Sequence, residues 1–392
     1  MNYSFENDVL TIAHEGRIDT NNAADVEKEI FEILGNNETD NVVIDLENLD
    51  YISSAGLRVM LKIRKAKPMM KIINVQPSVY EVFETTGFTE MMTVEKGYRQ
   101  LNVEGCEKLG EGSNGVVYRL NPEIIVKIYK KHNTLADIER ERTLARTAFI
   151  KGIPTAIAFD IVKVDGKLGS VFELLNATSI SKLLAEDSSD ENIDKYSQIF
   201  VDLLHTIHDS TDDANIMTDH REVGIGWVDY LKNYLPEDKW TKLKAMVEAI
   251  PEDDHIIHGD FHTNNVLMQN DEPILIDMDT LSHGKPIFEF ASIYNAYLGF
   301  SALNHDNIKD FLKIDYETGE KFYWKTLEKY FGTTDEAKLM DVHQKSMLMG
   351  YVRLLRRQIK RGGFEDPESV KKIEYYKSQV LDLLDKVDDF EI

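Results

Sequence analysis

The sequence predicts two folded parts. A small α/β unit occupies residues 1–97; a two-lobed α+β unit follows, rich in strands over 101–175 and helical over 176–392. Three observations carry this. Strand-like and helix-like periodicities alternate through the first part. A series of strand segments then opens on a Gly-x-Gly-x-x-Gly at 110–115. The helical remainder is interrupted at 258–279 by HGDFHTNN, two short apolar runs and IDMD.

The first part begins with two short strands over 3–16 around the turn Asn7-Asp8. Gly16-Arg17-Ile18-Asp19-Thr20 leads into a helix over 23–34, where Val26, Ile30, Ile33 and Leu34 recur at helical spacing. Val42-Val43-Ile44-Asp45-Leu46 is a continuous apolar strand, suited to a covered sheet. A second helix runs from the Tyr51-Ile52-Ser53-Ser54 segment through Lys65. A strand spans 71–75, and Pro77 opens a third helix that ends near Gly87. Either Ser53 or Ser54 can cap the second helix, a contribution of about 1 kcal/mol. The free N–H groups and positive dipole end at that point would also accommodate a phosphate on Ser54.

GRIDTNNA at 16–23 and VVIDLENLDYISSAGLRVML at 42–61 resemble the STAS domain of anti-sigma factor antagonists, over roughly 1–97. The resemblance implies regulation by partner switching. In that family a serine at the start of the second helix is phosphorylated by a partner kinase, which switches binding to an anti-sigma factor. The matching position is Ser54, with Asp19 on the neighbouring loop; Ser53 stands where the family core has Asp.

A net charge of −24, spread over both parts, opposes non-specific binding to nucleic acid or to anionic membranes. Cys106 is the sole cysteine, so neither an internal disulfide nor a cysteine-based zinc site is expected. No apolar run approaches the roughly 18 residues of a membrane span, and the N-terminus lacks a signal-peptide pattern, so a cytoplasmic location is expected. One stretch runs against the overall charge: RLLRRQIKR at 353–361. It reads as a helix end with solvated cations before Gly362-Gly363, or as an anchor for an acidic partner surface.

In the second part, Gly110, Gly112 and Gly115 sit in a hairpin rather than a strand-to-helix turn, because Val116-Val117-Tyr118 continues as strand. Such glycines let backbone approach a phosphate tail, though a plain hairpin turn has the same composition. Lys127 is the lone cation in the next apolar strand. The following helix, 135–149, offers Glu139 and Glu141, about 200° apart, so one of them can face inward. Strands over 156–164 and 168–174 lead to Phe172-Glu173-Leu174-Leu175, a connection whose backbone could hold an adenine ring. His205 and His208 are spaced i,i+3 without an accompanying ligand set and read as hydrogen-bonding residues, and Asp212-Asp213 reads as a solvated loop. HGDFHTNN sets an Asp and an Asn five apart on a polar loop, and IDMD adds carboxylates at the end of a hairpin. Phosphoryl transfer from a nucleotide needs this combination: a carboxylate beside the attacking hydroxyl and oxygen ligands for Mg²⁺.

The order glycine loop, Lys, Glu, connection, HGDxxxxN, IDxD resembles the aminoglycoside phosphotransferase-like branch of the protein-kinase-like fold, over roughly 101–392. The resemblance implies ATP and Mg²⁺ as cofactors. It implies that Asp260 orients and deprotonates an acceptor hydroxyl, that Asn265 and Asp277 hold Mg²⁺, and that Asp279 supports them. Lys127 would contact the α/β phosphates and pair with Glu141; Glu173 would lie beside the adenine. His258 would orient the loop, with His262 and Thr263 shaping it. Glu289 stands where the branch has Asp and falls outside the metal set. The expected activity is phosphotransfer of the aminoglycoside or choline kinase-like type to a small-molecule or protein hydroxyl. An acidic surface would suit a polycationic acceptor. The alternative is a partner-switching regulator whose kinase-like part binds nucleotide or ligand as a sensor.

Overall fold

The structure, a computed structural model, describes residues 1–111 and 115–392. The chain divides into two compact units, Met1–Gly105 with Ile161–Gly169, and Cys106–Asp160 with Ser170–Ile392. Each has its own apolar core.

In the first unit, β1 (Asn2–Glu6) and β2 (Val9–Ala13) form a hairpin. Asn7 and Asp8 take φ of 49° and 62°, the left-handed pair that a tight two-residue hairpin turn requires. β3 (Gly16–Ile18), α1 (Ala23–Asn36), β4 (Val42–Asp45), β5 (Leu49–Ile52), α2 (Ser54–Ala66), β6 (Lys71–Val75), α3 (Pro77–Thr85), α4 (Phe88–Met91) and β7 (Thr93–Lys96) complete the domain. The main sheet has the order β1-β2-β4-β6-β7 and is parallel from β2 onward. Its central strands are apolar because they are covered: Leu10, Ile12, Ile44 and Ile72 are fully buried. Two elements differ from the sequence reading. The segments 16–18 and 49–52 pair as a separate parallel ribbon, where the sequence pattern indicated only a lead-in to a helix. Gly56 explains the tight approach of α2 to that ribbon: a Cβ there would stand 2.7 Å from Ile52 and 2.8 Å from Ile18. β8 (Arg99–Leu101) pairs in parallel with Val162–Val164 within the same unit.

The second unit starts with β9 (Glu107–Glu111), β10 (Gly115–Asn121) and β11 (Ile124–Tyr129), with the Ser170–Glu173 end of β13 (Lys167–Glu173), in the order β13-β11-β10-β9; β12 (Ala158–Val164) begins in this unit and runs on into the first. Between β11 and β12 lies α5 (Leu135–Ile150), opened by a capping box in which Thr134 and Asp137 satisfy each other's backbone N–H groups. The helical part follows: β14 (Thr178–Ser179), α6 (Ile180–Glu186), α7 (Asp190–His208), β15 (Thr218–Asp219), α8 (His220–Tyr230), α9 (Glu237–Glu248) and β16 (Ile256–Ile257). The hairpin β17 (Val266–Gln269) and β18 (Glu272–Leu275) comes next, then β19 (Ser282–His283), α10 (Ile287–Tyr297), α11 (Asp306–Leu312), α12 (Tyr316–Tyr330), α13 (Glu336–Gly362) and α14 (Pro367–Leu383). Every residue of α10 is buried, so this helix forms the centre around which the lobe packs. Asp212, expected in a solvated loop, is buried and accepts hydrogen bonds from the N–H groups of Ile216 and Met217, closing the connection before β15. No helix among the described residues is long and apolar enough to cross a membrane.

The two serines before α2 have separate places. Ser53 is the cap, its Oγ accepting from the N–H groups of Ala55 and Gly56. Ser54 is the first helical residue and is exposed. Ser53→Ala should therefore lower the stability of the first unit by about 1 kcal/mol. Ser54→Ala should leave it within a few tenths; hydrogen exchange of the α2 amides in the full chain measures both.

Candidate active site

The loop 258–265 is fixed from below by backbone hydrogen bonds that end on one carboxylate. Glu289, in the first turn of α10 and fully buried, accepts from the N–H of His258 at 2.5 Å and from the N–H of Gly259 at 3.0 Å. Burial pulls this carboxyl upward, but the neighbouring His208 and the loop N–H groups outweigh it and keep it below the usual glutamate range, ionised. Gly259 has φ of 77° and runs close to the Thr280 carbonyl, 3.1 Å from where a Cβ would sit, so glycine is needed there. From above, Arg353 of α13 donates from Nη1 to the Gly259 carbonyl at 3.0 Å. The cations expected to be solvated at 353–361 thus include one that is turned inward onto this loop, because α13 crosses α10 and carries Arg353 to its face.

The remaining loop residues bind one another. The Asp260 N–H donates to His258 Nδ1 at 3.3 Å, and His258 Nε2 lies 3.3 Å from the Ile276 carbonyl. These partners assign a proton to Nε2 and make His258 a spacer between the loop and the strand end before Asp277. Asn265 donates from Nδ2 to the Asp260 carbonyl at 3.0 Å, which commits its amide nitrogen inward and leaves Oδ1 for a cation. Thr263 Oγ1 lies within hydrogen-bond distance of Ser181 and Tyr297. The Asp260 carboxylate is partly exposed. Burial raises its pKa, but His262, 3.7 Å away, together with Arg353, overcomes that and holds it down at about 2.

The strand side of the site centres on Lys127 of β11. Its ammonium reaches Glu141 at 2.8 Å and Asp277 at 3.3 Å. Burial works against the charge, yet these two carboxylates more than offset it and the pKa rises. Glu141 is in turn held by the Tyr129 hydroxyl at 3.0 Å. Of the two candidate glutamates on α5, it is Glu141 that faces inward. Asp277 adopts a left-handed φ of 63°, an uncommon conformation for a side-chain-bearing residue that turns its carboxylate toward Lys127. Asp279 is pushed up to about 6, by burial and then by the charges of Asp277 and Glu141.

Beside Lys127 opens a cavity of about 330 Å³. Its walls are largely apolar (Ile125, Ala156, Phe172, Leu267, Ile276 and Met278), with Lys127, Glu141 and Asp277 on one side and Glu173, Leu174 and Leu175 also lining it. That size and composition suit a planar base with a charged tail. The Leu174 N–H is already used, donating to the Glu123 carbonyl at 2.7 Å. Of the three glycines singled out from the sequence, Gly115 lines the cavity. A Cβ there would stand 2.4 Å from the Ile128 carbonyl oxygen, so only glycine fits. Gly110 has open space around it, and Gly112 lies outside the described residues.

These residues fit a divalent cation. Asp277, Asp279 and the Asn265 Oδ1 are oxygen donors of the type Mg²⁺ takes; Glu141 and Asp277 flank Lys127, and Asp279 feels the charges of Asp277, Glu141 and Asp260. Among the described residues, the trio of His or acidic groups gathered within 4.8 Å is a different one, Asp253, Asp254 and His255. Lys285, 2.5 Å from Asp253, already neutralises it. His205 stacks on Tyr330, and His208 Nδ1 bonds to the Tyr330 hydroxyl at 2.7 Å, so neither belongs to the site.

Sequence reasoning missed the roles of Glu289 and Arg353. The signal for Glu289 was present, as a single carboxylate in the otherwise apolar and small-polar run IFEFASIYNAY; Arg353 carried none, since its neighbours on the helix are also cationic. Two measurements check this frame. Glu289→Gln keeps the shape but removes the charged acceptor of two buried N–H groups, and should cost about 1–3 kcal/mol in chemical denaturation. His220, packed under Gly259 with Nδ1 bonded to Ser282, has its pKa lowered by burial to about 3. The unfolded chain therefore takes up this proton first as pH falls below about 6.5. His220 should remove about 1.4 kcal/mol of stability per pH unit between there and pH 3. His220→Gln should flatten that part of the stability–pH curve, while wild type and variant run parallel above pH 7.

Comparison with known proteins places both units. Residues 105–322 match the family described as phosphotransferase enzyme family (APH), and residues 1–101 match the STAS domain. BtrV of Bordetella bronchiseptica, named as an anti-sigma factor antagonist, is 38% identical over 90 residues, which are 22% of this chain and 77% of that protein. The crystal structure of ADP-bound aminoglycoside phosphotransferase APH(2'')-Ib is similar with a TM-score of 0.50, covering 78% of this chain and 98% of that one. At 16% identity this likeness speaks for the fold. The chain therefore belongs to the phosphotransferase enzyme family, with an N-terminal STAS domain of the anti-sigma factor antagonist kind preceding the kinase-like fold.

Proposed function

We propose that the protein is an ATP- and Mg²⁺-dependent phosphotransferase acting on a hydroxyl acceptor, with the STAS domain as its regulatory part. The observation that carries this reading is the Lys127 ammonium between Glu141 and Asp277 at the side of an apolar cavity, in the same fold as a loop bearing an ionised Asp260. The relative solved with ADP supports the choice of an adenine nucleotide. In this reading the cavity takes the adenine beside Glu173, and Lys127, steadied by Glu141, contacts the α/β phosphates. Gly115 lets β10 lie close against the nucleotide. Asn265 and Asp277, supported by Asp279, would hold Mg²⁺, which neutralises charge on the transferring phosphoryl group. Asp260 accepts the proton of the acceptor hydroxyl as its oxygen forms the new P–O bond; the bond to the leaving oxygen breaks and ADP departs. A carboxylate with a pKa near 2 is ionised at any physiological pH, so its part is to orient the hydroxyl and receive a proton late in the transfer.

Asp260→Asn should lower transfer by about 10²–10⁴-fold while nucleotide affinity persists. Lys127→Met should instead weaken nucleotide binding. Calorimetry with ATP and a coupled ADP assay separate the two, and full activity in Asp260→Asn would overturn the reading.

The exposed Ser54 supports a regulatory phosphoacceptor. With Ser53 serving as the cap, the Ser54 hydroxyl at the helix N-terminus can carry a phosphate without loss of the capping bonds. Mass spectrometry of the protein from cells that make it should find phosphate on Ser54 and not on Ser53. Capture of a partner that depends on residues 1–97, with nucleotide binding but no transfer to any acceptor, would favour a sensor role for the kinase-like part instead.

A further inference from the structure

The surroundings of Asp260 outside the nucleotide cavity are cationic and aromatic. His262, 3.7 Å from the Asp260 carboxylate, packs edge-on against Phe311 at 4.8 Å. Phe311 meets Phe300 at 5.8 Å, and the Arg357 guanidinium lies over the Phe300 ring at 5.4 Å. One turn earlier on α13, Arg353 reaches the Gly259 carbonyl with a single N–H and has further donors to offer. None of these residues lines the apolar cavity beside Lys127. They form a second wall, next to the atom that receives the acceptor's proton.

The charge there is unusual for this chain. The protein carries −24 overall, and its lysines are widely paired with carboxylates. Yet among the described residues Arg353, Arg356, Arg357, Lys360 and Arg361 take part in no ion pair within 4.0 Å. The Arg356 Nε is buried and has no hydrogen-bond partner. Arg357 is solvent-exposed; what burial it has, and then Arg361 and Arg353, disfavour its charge, while the Asp260 carboxylate favours it. Gathering like charges costs free energy that a bound anion would recover, and arginine forks match carboxylate and phosphate oxygens in pairs. A polycationic or quaternary-ammonium acceptor would meet repulsion at this wall. The acidic surface elsewhere would attract such a molecule only at long range.

We propose that the acceptor is a small hydroxyl compound bearing a carboxylate or phosphate, and that Arg357, with Arg353 behind it, holds this anionic group beside Asp260. This rests on the phosphotransferase reading for the word acceptor, but the anion site can be tested without turnover.

The experiment uses the full chain with saturating ADP and Mg²⁺, so that the nucleotide cavity is filled. Glycerol 3-phosphate, glycerate, glycerol, choline and kanamycin are titrated by calorimetry into wild type, Arg357→Lys and Arg357→Glu. At least one of the two anions should bind wild type, weaken roughly tenfold or more in Arg357→Glu, and be partly restored in Arg357→Lys. Glycerol, choline and kanamycin should not bind. Unchanged ADP affinity in Arg357→Glu shows that the variant is folded. The proposal is overturned if neither anion binds, if Arg357→Glu binds them as wild type does, or if choline or kanamycin binds in their place. Product analysis with ATP separates the two claims. Anion binding at Arg357 without phosphorylated product would sink phosphotransfer and leave the site standing; efficient phosphorylation of kanamycin or choline would do the reverse.

Discussion

The kinase-like unit depends on a carboxylate buried in its core. Glu289 sits in a helix with no exposed residue, where an uncompensated ion would cost several kcal/mol. Its compensation is the backbone of the loop it supports: two N–H donors from His258 and Gly259, with His208 on its other side. The dependence runs both ways. The charge is tolerable only while the loop is in place, and the loop has its course because those N–H groups have one strong acceptor to meet. Arg353 then binds the carbonyl of the same glycine, on the next peptide. With its root clamped, the loop emerges with Asp260 toward solvent and Asn265 tied to the Asp260 carbonyl, so the spacing of the two side chains is set by hydrogen bonds rather than by packing.

The electrostatics divide the site. On the strand side, carboxylates outnumber the one lysine, and Asp279 is lifted to about 6 by its neighbours, a balance that favours a cation. On the α13 side, Arg353 and Arg357 form no ion pair within 4.0 Å among the described residues. Asp260 lies between, kept ionised by histidine and arginine in spite of its partial burial. On the proposed reading, a metal–nucleotide complex would take the acidic side and the acceptor the basic one.

Much of the candidate site was legible before any coordinates, because the chemistry proposed for it is carried by residue types at short spacings. HGDFHTNN and IDMD name their own carboxylates and amide, and a lone lysine in an apolar strand names itself. The choice between Glu139 and Glu141 was open on helix geometry and closed by Tyr129 and Lys127, two residues from the preceding strand. Ser53 and Ser54 were equally eligible as caps; the start of α2 decided between them. The β3–β5 ribbon was missed because segments this short leave no periodicity to read, and their pairing depends on contacts more than 30 residues apart.

By itself the sequence determined the two folds and their order along the chain and offered candidates for phosphoryl transfer, since hydrophobic period and local motif are properties of neighbouring residues. Only the tertiary structure decided what Glu289 and the arginines of α13 do. A charged side chain reads as solvated until its surroundings are known, and those surroundings come from parts of the chain distant in sequence. Arg353 is separated from Gly259 by 94 positions, and no local pattern encodes that meeting.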